Sequence, residues 1–228
     1  FVQDAFGAVH RAHASTAGVA KLLPSAAGFL LLKELEFLGR IKNNPAKPFL
    51  AIVGGAKVSD KIEVLEKLLD KVDSLVIGGA MAYTFLQSQG FKTGKSLVEA
   101  DKVETAKTLL KTAASKGVQV LLPKDHLVVT AIDAPDSAKD TADANIPGDL
   151  IGVDIGPNSI QGLAGPVSSA KTIFWNGPMG IFEVDRYAKG TREVAKLAAE
   201  AATRGATVVI GGGDSVAAVQ STGLADKI

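Results

Sequence analysis

From residue 49 onward, short runs of apolar, largely β-branched residues alternate with longer stretches of helical pattern. The runs are FLAIV (49–53), SLVIG (74–78), VQVLL (118–122), LIGVD (150–154), TIFW (172–175) and TVVIG (207–211). Each is continuously apolar instead of alternating, the pattern of strands covered on both faces of a parallel sheet. Between them, residues 58–71, 79–88, 99–115, 158–169 and 184–203 carry apolar side chains at three- and four-residue intervals. In the first of these, Val58, Ile62, Leu65, Leu69 and Val72 form one stripe, while Glu63, Glu66 and Lys67 take the watered face. Strand, helix and strand in repetition predict an α/β fold. The sheet expected is a three-layer, doubly wound, Rossmann-like parallel sheet of about six strands with right-handed crossovers.

Two stretches depart from this rhythm. Residues 123–149 are rich in proline and small polar residues and read as a short excursion or hairpin, with LVVTAI a strand inside it. Residues 25–42 form the longest amphipathic pattern near the start, with Ser25 as helix cap after Pro24 and NNPAKP as the stop.

Composition narrows the partners. With 25 basic and 24 acidic residues the formal charge is +1, too small for a nucleic-acid footprint or an anionic-membrane surface. No apolar run approaches the roughly 20 residues that span a bilayer. Cysteine is absent, so disulfides and thiolate metal sites are excluded, and a reducing cytoplasmic setting is expected. The opening FVQDAFGAVHRAH lacks both an initiator Met and a signal-peptide pattern, and reads as the interior of a longer chain.

Open α/β sheets bind ligands at the carboxyl ends of their strands. Those exits read GGAKVSDK, GGAMAYTF, DIGPNS, NGPMGIFE and GGDS. Glycine lets backbone approach a bound group, and each following helix start offers free N–H donors and a positive dipole end to an anion. Lys57 and Lys61, four apart, are expected on one face of the helix after the first strand, where two ammonium groups repel unless a polyanion lies between them. They read as phosphate ligands or, as an isolated pair, as solvated lysines. Asp214 reads as a helix cap, shared with Ser215, or as the ligand of a Mg²⁺ that bridges it to phosphates. Glu183 is placed to accept from a ribose, or is simply solvated.

Two other patterns are set aside. GFKTGKS (90–96) has three residues between its glycines where a phosphate-binding P-loop has four, and it follows a helical stretch. His10 and His13 lack a third ligand at a sensible spacing. The three spaced glycines of a dinucleotide site are absent as well, which weighs against a nicotinamide-dependent oxidoreductase on a similar sheet.

DAFGAVHRAHAS, PFLAIVGGAKVSDKI, VIGGAMAYTFL, DIGPNS, FWNGPMGIFE and VIGGGDSVAA stand in an order and spacing that resemble the phosphoglycerate kinase family, across essentially the whole chain. The resemblance implies a two-domain glycolytic kinase that moves a phosphoryl group between 1,3-bisphosphoglycerate with ADP and 3-phosphoglycerate with ATP, as a monomer requiring Mg²⁺. It puts Lys57 and Lys61 on the nucleotide phosphates and the transferred group, and Asp214 on the metal-nucleotide. Gly55, Gly212, Gly213 and Ser215 would line the phosphates, Glu183 would hold the ribose, and Asn176 with Gly177 and Pro178 would sit beside the nucleotide. Gly78, Gly79 and Gly156 would border the adenosine pocket, and Arg11 would hold phosphoglycerate.

The resemblance also implies a division: residues 1–24 as a remnant of a substrate-binding domain, 25–42 as an interdomain helix, and 43–228 as a nucleotide domain lacking its last strand and a second glycine-rich turn. Such a chain is expected to retain nucleotide binding without turnover. A nucleotide-binding module with no catalytic role is the competing expectation.

Overall fold

The computed structural model describes residues Phe1–Ile228, which form two compact units, Phe1–Pro45 and Ala46–Ile228. In the first, β1 (Val2–Gln3) pairs in parallel with β2 (Ala26–Ala27), and α1 spans Phe29–Asn43. The helix starts later than its apolar pattern, with Gly28 and not Ser25 at the cap position. Ser25 instead donates its hydroxyl to the Leu23 carbonyl at 2.9 Å. The free N–H groups of the first turn are met by Asp4, whose carboxylate accepts from Leu31 at 2.8 Å and Leu30 at 3.4 Å. A cap supplied from so far upstream leaves no local signal.

The second unit begins with β3 (Phe49–Val53), α2 (Ile62–Leu68), β4 (Ser74–Ile77), α3 (Met81–Ser88), α4 (Val103–Ser115) and β5 (Gln119–Leu121). It continues with β6 (His126–Val129), β7 (Lys139–Asp140), β8 (Ile151–Ile155) and α5 (Pro157–Ser169), and ends with β9 (Thr172–Asn176), α6 (Lys189–Thr203), β10 (Thr207–Gly211) and α7 (Gly213–Ser221). Five strands form a parallel sheet in the order β10-β9-β3-β4-β5. The chain builds outward from β3 through β4 to β5 and then returns to lay β9 and β10 on the other side. The order therefore reverses between β3 and β9, the place where open α/β sheets leave a crevice. β3 is buried along its whole length, and Leu50, Ile52, Ile173 and Trp175 pack with Leu163 and Val167 of α5 and Val194 and Ala195 of α6 in the main core.

The run at 150–154 is the exception to the expected parallel sheet. As β8 it pairs antiparallel with β6, which pairs antiparallel with β7, in a separate three-stranded sheet. β8 is apolar except for Asp154, and both its faces are covered. Val128, Ile146 and Tyr83 gather with Leu150 in one cluster, and Val129, Val153 and Tyr187 with Ile151 in another. An apolar run reports burial and not the direction of its neighbour. The expected excursion thus becomes a small sheet of its own.

This sheet buries two titratable groups with opposite effects. His126 is fully buried, its Nε2 3.2 Å from the Ala144 carbonyl and its ring 5.3 Å from that of Tyr83. Burial lowers its pKa to about 4. Between that value and the ordinary 6.5 the unfolded chain holds the extra proton, so acidification through this window removes stability, on the order of 3 kcal/mol. Asp154 is raised to about 7 by burial, against the opposing N–H donors of Gly190 and Ile155. Its proton is held by the folded chain from about pH 4 to 7, so stability is lost as pH rises through that range. The two slopes oppose each other in the native chain. Asp154→Asn removes one of them, and its unfolding free energy relative to the native chain is expected to rise with pH between 4 and 7. Denaturant midpoints that shift by the same amount at every pH would contradict this.

Candidate functional site

At the crevice the exits of β3, β4 and β9 pack backbone against backbone. Gly54 donates to the Asn176 carbonyl at 2.9 Å and Gly55 to that of Pro178 at 3.2 Å, while Gly79 donates to the Met179 carbonyl at 3.0 Å. A Cβ on Gly54 would fall on the Pro178 carbonyl oxygen, one on Gly177 on the Gly54 carbonyl, and one on Gly79 on the Gly55 backbone. A Cβ on Gly78 would run into the Met179 sulfur. These glycines serve first to let three exits touch. Gly55 and Gly213 differ, because nothing lies within 4 Å of the Cβ position at either, and Gly55 has φ +117°. Their backbone is open to a bound group.

Lys61 donates from Nζ to Asn176 Oδ1. The other end of that amide faces the turn before α7, with Asn176 Nδ2 3.2 Å and 3.1 Å from the Cβ positions of Gly211 and Gly212. Asn176 thus lies between the Lys61 ammonium and the turn before α7, where Gly212 turns at φ +90° and Asp214 stands exposed in the first helical turn. Ser215 is buried, and its Oγ accepts from Gly177 at 2.6 Å, tying α7 to the β9 exit. Neither lysine is in an ion pair, and neither is Asp214. An unpaired ammonium group and a helix amino terminus each favour an anion.

Lys57 and Lys61 do not share a helix face. α2 starts at Ile62, so Lys57 lies in the preceding turn, exposed, and Lys61 is the half-buried cap residue. The turn is fixed from another element, because Glu99 accepts from the Ser59 amide at 3.1 Å and the Ser59 hydroxyl at 2.6 Å, as well as from the Val58 amide. Burial works against the Glu99 carboxylate, but these donors outweigh it and hold its pKa below the ordinary value. No spacing links Glu99 to residue 58. Its N–H in turn is held by Thr84 Oγ1 at 3.1 Å.

Glu183 is exposed in the segment between β9 and α6. Gly156 caps α5 at the β8 exit, against the buried Asp125, which accepts from Asn158 at 2.9 Å and Ser159 at 2.7 Å. Asp125 is another cap invisible to local pattern. Arg11 is exposed in the first unit. The GFKTGKS stretch is structural: Ser96 Oγ accepts from Gly152 at 2.9 Å, Lys95 donates to the Leu150 carbonyl at 2.9 Å, and Thr93 bridges Ile146. No group of three or more His, Asp or Glu side chains could hold a metal ion. A lone carboxylate at Asp214 suits a Mg²⁺ that takes its other ligands from phosphates and water. A surface groove of about 600 Å³ between α2 and α4 is lined by Glu66, Lys67, Asp70, Glu104 and Lys116 among others, away from every glycine exit.

A parallel doubly wound sheet whose strand order reverses between β3 and β9 defines an open α/β protein, the class that binds ligands outside the carboxyl ends of its strands. The family profile described as Phosphoglycerate kinase matches residues 1–228, and the chain belongs to the phosphoglycerate kinase family. It is 56% identical to phosphoglycerate kinase of Clostridium novyi (strain NT) and 54% identical to the cytosolic phosphoglycerate kinase of Triticum aestivum, over its whole length and 57% of each relative. A solved structure of phosphoglycerate kinase from Coxiella burnetii superposes with TM-score 0.93 at 43% identity, covering all of this chain and 58% of that one. The chain therefore spans a little over half the length of the relatives it matches.

Proposed function

We propose that the crevice between β3 and β9 binds the nucleotide of a phosphoglycerate kinase, which transfers a phosphoryl group reversibly between 1,3-bisphosphoglycerate with ADP and 3-phosphoglycerate with ATP. The observation that carries this reading is the convergence of Lys61, Asn176 and the start of α7 at the sheet's reversal point. Lys57 and Lys61 contact the phosphates and the group in transfer. Gly55, Gly212, Gly213 and Ser215 line the phosphates, with Asn176, Gly177 and Pro178 beside them. Glu183 accepts from the ribose hydroxyls, and Gly78, Gly79 and Gly156 border the adenosine. Asp214 holds Mg²⁺, which when bound neutralises phosphate charge.

The acceptor is a carboxylate, ionised at neutral pH, so the chemistry needs alignment and charge neutralisation and no general base. Lysines placed by Glu99 and Asn176 supply both. On the phosphoglycerate side only Arg11 is assigned, in the first unit, with α1 (Phe29–Asn43) as the interdomain helix. The second unit, Ala46–Ile228, is the nucleotide domain. The 228 residues alone are therefore expected to bind MgADP without sustaining turnover, and the whole enzyme to act as a cytoplasmic monomer.

Thermal unfolding tests the ligand class, because a ligand of the native state raises its stability by about 2.7 kcal/mol at 100 times its Kd. For a chain of this size that corresponds to a rise in Tm of roughly 5–10 °C. MgADP is expected to give such a shift and NAD none. A shift with NAD and not with MgADP would replace the kinase reading with a dinucleotide site.

A further inference from the structure

Residues 177–183, the first part of the segment between β9 and α6, carry Glu183, yet little of their anchorage comes from the parallel sheet beyond the first residues. Their middle hangs between β8 and the start of α6. Met179 donates to Thr191 Oγ1 at 3.0 Å, and Ile181 donates to the Val153 carbonyl at 2.9 Å. Between these two ties lies a single buried carboxylate, Asp154. Its Oδ2 accepts from the Gly190 amide at 2.6 Å, in the first turn of α6, and its Oδ1 accepts from Ile155 at 2.9 Å. Oδ1 also lies under Gly180, where a Cβ would come to 2.5 Å. Gly190 leaves the same carboxylate room on the other side.

A buried carboxylate with no ion-pair partner is costly to keep unless it does something an apolar residue could not. Here it accepts from a free N–H of the helix start, where the dipole favours negative charge. Burial raises its pKa to about 7 in spite of those donors. The charged groups that act on it are Lys189 of α6, which lowers it, and Asp140 of β7, which raises it, while the phenol of Tyr83 on α3 is raised by burial first and by Asp154 second.

We propose that Asp154 is a positioning residue for nucleotide binding: it locks the start of α6 to β8 beneath Gly180 and so fixes the segment that presents Glu183 to the ribose. The inference rests on the nucleotide reading above. Asp154 itself touches no ligand. Its effect on binding should therefore appear only through the ribose hydroxyls.

The test compares ADP with 2′,3′-dideoxy-ADP, each with Mg²⁺, on the 228-residue chain and on Asp154→Asn. Asparagine keeps the size of the side chain but has one acceptor oxygen for two N–H donors. Above pH 7, where the folded chain has released the Asp154 proton, the variant is expected to lose about tenfold in ADP affinity, the cost of one misplaced charged hydrogen bond, with dideoxy-ADP affinity unchanged. Gly180→Ala, which pushes the segment off the carboxylate from the other side, is expected to show the same selective loss and serves if Asp154→Asn does not fold. Equal losses for both nucleotides, or no loss, in a background where the unmodified chain prefers ADP would overturn the positioning role alone. An unmodified chain that binds both nucleotides equally, or neither, would overturn the ribose reading and this inference with it.

Discussion

Lys61→Met is expected to lower MgADP affinity by about 10- to 100-fold, the value of one or two charge-assisted hydrogen bonds to phosphate, while leaving the melting temperature nearly unchanged. Lys61 is half-buried and pairs with no carboxylate, only with the Asn176 amide oxygen. Methionine keeps the length of the stem along the β3 exit and removes only the ammonium. Lys57→Met should weaken binding as well, and the double variant should fall by less than the product if both ammonium groups reach the same phosphates. Titration calorimetry at fixed salt reads both effects. An affinity within twofold of the native value for Lys61→Met would remove Lys61 from the site.

The second large effect is structural. Gly177→Ala is expected to destabilise the second unit by roughly 2–6 kcal/mol, from a strained backbone and a backbone overlap together. Gly177 sits at φ +100°, and a Cβ there would fall on the carbonyl of Gly54. That contact is part of the seam between the β9 and β3 exits, so relief would have to open the seam. Gly205→Ala is the control, since it shares a positive φ of +92° but has nothing within 4 Å of its Cβ position. It is expected to cost only about 1 kcal/mol, the conformational share. Equal costs for the two substitutions, read from denaturant midpoints, would show that the seam is loose.

The exits of β3, β9 and β10 were legible because an apolar run followed by glycine marks both a buried strand and a close approach, as at Val53–Gly54 and Ile210–Gly211. What stayed hidden was set by partners distant in sequence. The run at β8 carries burial but no record that β6 would pair with it antiparallel. Glu99 reaches across 40 residues to hold the turn at Ser59, and that turn, not a helix face, places the lysines. Asp4 caps α1 and Asp125 caps α5 from 27 and 34 residues away. Asp154 was visible as the last residue of an apolar run and the first of the DIGPNS exit, where an acid looks like the end of a strand and not like the clamp of α6, 36 residues on.

The central claim is that the β3 exit, the β9 exit and the start of α7 surround one polyphosphate. A backbone amide map of the 228-residue chain with and without MgADP tests it most directly. The claim predicts changes concentrated at residues 54–61, 176–183 and 212–216, all saturating together. Changes confined elsewhere, such as the charged groove along Glu66 and Lys116, with those three segments unmoved, would contradict it.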